Sequence, residues 1–148
     1  MFDTLILLVE DNLDDEALIL RALKQIRSID QVAVARDGQE ALDFLYGEGK
    51  YAERDLRWMP SLILLDLHLP KVSGLDLLKR LRAEERTRHT PVVVLTGSAD
   101  DEEMLQGSLA GANSCVRKPG DPVAFREAVV QLAQYWRVLD KTKGGRKA

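Results

Sequence analysis

The chain has 148 residues, 45% of them hydrophobic and 30% charged, with 10 Gly, 5 Pro and one Cys; this is the size and balance of one globular domain and excludes a collagenous, disordered or disulfide-stapled protein. The formal net charge of -3 falls to about -7 when the tail cations Lys141, Lys143, Arg146 and Lys147 are set aside, the wrong sign for a nucleic-acid surface. The first apolar run, Leu5 to Val9, ends after five residues in Glu10-Asp11, too short for a membrane span or a signal peptide, so a cytoplasmic protein with neither nucleic acid nor membrane as partner is expected.

That run opens the chain as a strand, and Asn12 caps a helix expected to reach about Ile26. Val32 to Ala35 follows as a strand and Gly38 to Tyr46 as a helix. Beyond the stretch Gly47 to Pro60, Leu62 to Leu65 forms a third strand that ends in Asp66, and Ser73 caps a helix through about Glu85. Val92 to Leu95 is the fourth strand, and Asp100-Asp101 opens a fourth helix. Asn113 to Arg117 is the fifth strand, and Asp121-Pro122 gives the last helix an N-cap and a first-turn proline. Three of the strands are apolar on both faces, which suits parallel strands covered by helices on either side. The expectation is an α/β doubly wound (βα)5 parallel sheet, with residues 1–140 as one domain and 141–148 as a disordered tail rich in Lys and Gly.

In such a sheet the ligand site lies beyond the carboxyl ends of the strands. Here the first strand ends in Glu10-Asp11, the third in Asp66, the fourth in Thr96 and the fifth in Lys118-Pro119. An acidic pair before a helix is, on its own, usually a solvated cap; the set together is not. Three carboxylates within ~4 Å of one another would repel by roughly 4 kcal/mol per pair at an effective dielectric of about 20, so their assembly calls for a cation. Oxygen ligands alone, with a phosphate partner, point to Mg²⁺. With the metal and the Lys118 ammonium offsetting charge and the Thr96 hydroxyl donating to a phosphoryl oxygen, Asp66 could act as a nucleophile and become an acyl phosphate.

The segments Leu7-Leu8-Val9-Glu10-Asp11-Asn12, Leu64-Leu65-Asp66-Leu67-His68-Leu69-Pro70, Val94-Leu95-Thr96-Gly97-Ser98 and Arg117-Lys118-Pro119 resemble, in this order, the receiver domains of two-component response regulators. The likeness spans about residues 3 to 139. It implies a flavodoxin-like fold with strand order 2-1-3-4-5 and phosphoryl transfer to Asp66 from a sensor histidine kinase. It further implies Glu10, Asp11, Asp66 and the backbone carbonyl of His68 as metal ligands, Thr96 as the switch hydroxyl and Lys118 as the phosphate-pairing lysine. The stretch Gly47 to Pro60, the strand Pro91 to Thr96 and the late aromatic pair Tyr135-Trp136 are most similar to stand-alone receivers serving phytochrome-type kinases.

Cys115 stands where receivers usually carry a switch aromatic and reads as a small apolar residue, while His68 and Ser98 sit where receivers vary the groups that govern phosphate lifetime. On the last helix Phe125, Ala128, Val129, Leu132, Trp136 and Leu139 share one stripe, and Val123, Val130 and Val138 fall on the opposite face, a candidate surface for pairing two copies of the chain. The leading expectation is a regulatory phosphoacceptor rather than an enzyme. A haloacid dehalogenase-type phosphatase would need a second acid where His68 stands, a flavin or dinucleotide carrier would need a glycine-rich first turn in place of Glu10-Asp11-Asn12-Leu13, and a receiver-like scaffold that is never phosphorylated is the alternative disfavoured by the presence of every pocket residue.

Overall fold

An apolar run with no polar face must be covered on both sides, and the three such runs take the three inner positions of a parallel sheet. In the computed structural model β1 (Leu5–Val9), β3 (Leu62–Asp66) and β4 (Val92–Thr96) are buried along their whole length, with β2 (Gln31–Ala35) and β5 (Ser114–Arg117) at the edges in the order 2-1-3-4-5. The structure describes residues 5–26, 29, 31–97, 114–118 and 121–132. The four ladders are parallel and in register, Val9 facing Leu65 and Asp66 facing Leu95. This is the flavodoxin-like arrangement that the sequence leads one to expect.

The two-residue period of the strands divides the core into two halves. Leu5, Leu7, Val9, Ile63, Leu65, Val92 and Val94 point to one face, where α2 (Gly38–Tyr46) and α3 (Gly74–Ala83) cover them with Leu42, Leu45, Leu77, Leu78 and Leu81. Ile6, Leu8, Leu62, Leu64, Val93 and Leu95 point to the other. There α1 (Leu13–Leu23) contributes Ile19, Ala22 and Leu23, and the helical run 122–132 contributes Phe125 and Val129. No helix among the described residues is long and apolar enough to cross a membrane.

Two caps set helix starts as expected, Asn12 accepting from the Asp15 amide and Ser73 from that of Asp76, and Asp37 does the same for α2 by accepting from the Glu40 amide. Two helices end earlier than their periodicity suggests. Past Leu23 the bonds tighten to Gln25 N–H to Ala22 and Ile26 N–H to Leu23, so Ile26 is buried from a turn rather than from the helix. At the end of α3 the buried Thr87 hydroxyl donates to the Leu81 carbonyl at 2.7 Å and Glu84 turns extended. The stretch before β3 is a folded structure: a 3-10 turn at Gly49–Tyr51 follows α2, and Tyr51, Trp58 and Met59 pack on the first core half. Arg54 lies with its guanidinium carbon 4.1 Å above the Phe44 ring and donates to the carbonyls of Phe44 and Trp58, both at 2.7 Å.

One expectation about the last helix is corrected. Val123 is exposed, but Val130 packs partly against the second core half and, with Gln25, Arg126, Glu127 and Gln131, lines a small cleft. A helical wheel leaves that face to solvent because it cannot show α1 lying alongside. The fourth helix at Asp100-Asp101, Ser98, Tyr135-Trp136, Val138, Leu139 and the tail from Lys141 lie outside the described residues.

Glu40 links α2 to this stretch and supplies a pH-dependent part of the stability. Burial acts to raise its pKa, yet hydrogen bonds from the Arg36 amide, Lys50 and the Tyr51 hydroxyl outweigh it and bring the carboxyl down to about 2. Because the folded value lies below the ordinary 4.5, the stabilisation is fully present above that pH and is lost as pH falls toward 2. Glu40→Gln is therefore expected to destabilise the protein by about 2 kcal/mol at neutral pH. Urea denaturation across the pH range should show the two proteins converging in acid; a constant difference would exclude this origin.

Candidate functional site

Four of the five strand ends deliver a polar side chain to the carboxyl edge of the sheet. Glu10 follows β1 directly; its amide donates to Ala35 of the neighbouring strand, and its side chain is fully buried. Asp66 closes β3 beside Leu95 and is 8% exposed. Thr96 closes β4, fully buried, and its carbonyl accepts the Lys118 amide at 2.7 Å, which fixes where the chain leaves β5. The neighbouring Asp11 is exposed.

Three carboxylates, from Glu10, Asp11 and Asp66, bring oxygens within 4.8 Å of one another. The donor set is all hard oxygen, two residues buried and Asp11 open to solvent, which fits a divalent cation such as Mg²⁺ with water on its open side. The electrostatics point the same way. Burial, and then a hydrogen bond with Asp66, push the Glu10 carboxyl up to about 8 against the opposing pull of Lys118. One lysine is too little positive charge for the acids gathered here, and a cation bound among them would favour the ionised form of Glu10.

Lys118 donates to Glu10 Oε1 at 2.7 Å, to Asp15 Oδ2 at 2.8 Å and to Asp66 Oδ2 at 3.4 Å, with only 14% of its side chain exposed. Burial would lower its pKa, but the bonds it donates to Asp15 and Glu10 and the charge of Asp66 prevail and raise it, so the group is a permanent cation. The other Asp66 oxygen, Oδ1, accepts from the His68 amide at 3.1 Å. The acceptor loop between β3 and α3 is wedged between helices: an added Cβ on Gly38 would stand 2.2 Å from the Val72 carbonyl oxygen, and one on Gly74 would stand 2.4 Å from that of Asp66. Within the loop Lys71 holds a left-handed φ of 67° and pairs with Asp37 at 3.5 Å.

The structure thus brings together Glu10, Asp11, Asp66, Thr96 and Lys118, and places the His68 amide on Asp66. Cys115, half-buried on β5 opposite Val94, packs on the first core half as a small apolar residue should. Asp15 is the residue that sequence reasoning missed. With Asp14 and Glu16 it reads as ordinary first-turn acid complementing the helix dipole. The available signal was stoichiometric, since a buried ammonium has three protons to place and Glu10 and Asp66 accept only two.

Comparison with known proteins gives a consistent result. The family profile described as "Response regulator receiver domain" matches residues 6–130. The probable methanogenesis regulatory protein FilR2 of Methanothrix harundinacea is 36% identical over 140 residues, covering 95% of this chain and 88% of that protein. The response regulator Rcp1 of Synechocystis is 33% identical over 131 residues, covering 88% and 87%. Among solved structures, the phosphorylated cyanobacterial phytochrome response regulator RcpA aligns with a TM-score of 0.82 at 33% identity, covering 90% of this chain and 94% of that one. The bacteriophytochrome response regulator AtBRR aligns at 0.75 with 38% identity, covering 88% and 94%.

Proposed function

Because this chain belongs to the response regulator receiver domain family, we propose that it is a cytoplasmic phosphoacceptor switch in which Asp66 takes a phosphoryl group from a sensor histidine kinase. The observation that carries this reading is the placement of Asp66: one oxygen is fixed by the His68 amide, the other faces the Lys118 ammonium, and the carboxylate shares an acidic group with Glu10 and Asp11. An Asp66 oxygen forms a bond to phosphorus as the bond from phosphorus to the kinase histidine nitrogen breaks; the ring, protonated on its other nitrogen, leaves as a neutral imidazole, and Asp66 becomes an acyl phosphate.

Glu10, Asp11, Asp66 and the His68 backbone carbonyl would hold Mg²⁺, which supplies the charge neutralisation that lets a carboxylate receive a phosphoryl dianion. Lys118 balances the phosphoryl charge from the other side, and the Thr96 hydroxyl donates to a phosphoryl oxygen. The phosphorylated state signals through changed protein contacts rather than by catalysis. A phytochrome-type kinase as partner is supported by the likeness to RcpA and AtBRR, both named as phytochrome or bacteriophytochrome response regulators. Two exposed apolar side chains, Leu13 at 67% and Val123 at 54%, stand in the first turns of the two helices that share one face of the sheet and offer such a partner a purchase beside the pocket. Pairing of two copies through the last helix would use Val123, with Val130, already packed in part on the second core half, contributing less.

The test is incubation of the chain with acetyl phosphate and Mg²⁺ followed by intact-mass measurement. A gain of one phosphoryl group that vanishes when Mg²⁺ is chelated is expected. No gain would favour the unphosphorylated scaffold.

A further inference from the structure

Of the three carboxylates on the Lys118 ammonium, Glu10 and Asp66 belong to the acidic group that can hold an ion, and Asp15 does not. An ion in that group competes with the lysine for Glu10, and a phosphoryl group on Asp66 replaces the carboxylate oxygen that Lys118 now meets at 3.4 Å. Asp15 is the one partner whose commitment to the lysine survives both events. It is well placed for this, since its 2.8 Å contact is among the shortest ion pairs of the described residues and its carboxylate is three-quarters shielded. Its own backbone is fixed independently, by the Asn12 side chain accepting its amide at 2.9 Å. An aspartate at this position of the first turn, with its amide already capped, has a side chain free to reach across to the β5 end.

We infer that Asp15 is a positioning residue for phosphoryl acceptance: it anchors the Lys118 ammonium from the side away from the ion, so that the lysine stands ready for the phosphoryl oxygens. The inference rests on the phosphoacceptor reading above. A lysine with four rotatable bonds gains much from such an anchor, because each donor fixed in advance is one the reaction need not order.

A double-mutant cycle on the full chain tests it. With acetyl phosphate and Mg²⁺, Asp15→Asn should slow phosphoryl incorporation about tenfold, the effect of losing one charge-assisted hydrogen bond, and Asp15→Glu should recover part of it. In a Lys118→Met background the same Asp15→Asn change should have no further effect. In the metal-free, unphosphorylated protein, the ¹⁵N signal of the Lys118 ammonium should be sharp in the wild type and broadened by exchange in Asp15→Asn. An equal slowing in both lysine backgrounds, or a wild-type rate with an unchanged ammonium signal, would overturn the assignment. Failure of the underlying reading looks different: the wild type itself would then take no phosphoryl group. Circular dichroism matching the wild type shows that Asp15→Asn folds, as its Asn12 cap predicts.

Discussion

Asp66→Asn is expected to abolish phosphoryl incorporation, lowering it by about a hundredfold or more, because an amide is not a nucleophile toward phosphorus under these conditions. The substitution keeps the volume of a side chain that is 8% exposed, so the fold should survive. Its electrical consequences are larger. An amide can present an oxygen to the His68 amide only by turning its NH₂ toward the Lys118 ammonium, donor against donor, where Oδ2 now accepts at 3.4 Å. Burial is the first cause that raises the Glu10 carboxyl, and the hydrogen bond and charge of Asp66 add to it, so in the variant that carboxyl should fall part of the way from about 8 while burial still holds it up. Intact-mass spectra after acetyl phosphate treatment check the first result, and NMR titration of Glu10 checks the second. A variant that still gained a phosphoryl group would place the acceptor elsewhere and overturn the assignment.

Gly74→Ala should be nearly as damaging by a different route. The added Cβ would stand 2.4 Å from the Asp66 carbonyl oxygen, 2.6 Å from Leu67 Cα and 2.7 Å from the Leu67 carbonyl oxygen. All three are backbone atoms at the end of a buried strand, so no side chain can swing aside, and the Gly74 amide bond to the Leu67 carbonyl at 2.9 Å would be strained as well. A loss of about 3 kcal/mol in stability is expected, at the upper end of overpacking costs. Phosphorylation should fall at least tenfold with the displaced acceptor, in keeping with the cost of small misplacements. Gly97→Ala is the control for stability: among the described residues nothing lies within 4 Å of its added Cβ, and a change within about 0.5 kcal/mol is expected. Urea denaturation of the two variants side by side decides the matter, and equal stabilities would remove the steric argument.

The inner strands were legible because burial on both faces leaves a run such as Leu62 to Leu65 no polar position to confuse its reading. The pocket was legible because a parallel sheet sends every strand end to one edge, so Glu10, Asp66, Thr96 and Lys118 could be gathered from their positions alone. What escaped depended on neighbours. Asp15 looked fully explained by its own helix; its true partner lies 103 residues away and is brought there by the fifth strand. Val130 looked exposed on a wheel drawn for one helix, because the wheel has no place for the C-terminal end of α1. Helix ends were blurred for a similar reason, with α3 stopped by a hydroxyl six residues downstream of the carbonyl it satisfies.

The guanidinium of Arg54 is a cation drawn partly out of water, with its pKa lowered chiefly by that burial. It is reconciled to its place by two short carbonyl contacts and by the Phe44 ring. Residues 47–60 therefore behave as a cassette rather than as spare length. A relative that shortened the segment between Arg54 and Trp58 would strand a charge and would have to give up the arginine in the same step, and anyone transplanting the segment onto another receiver would need to carry Phe44 with it.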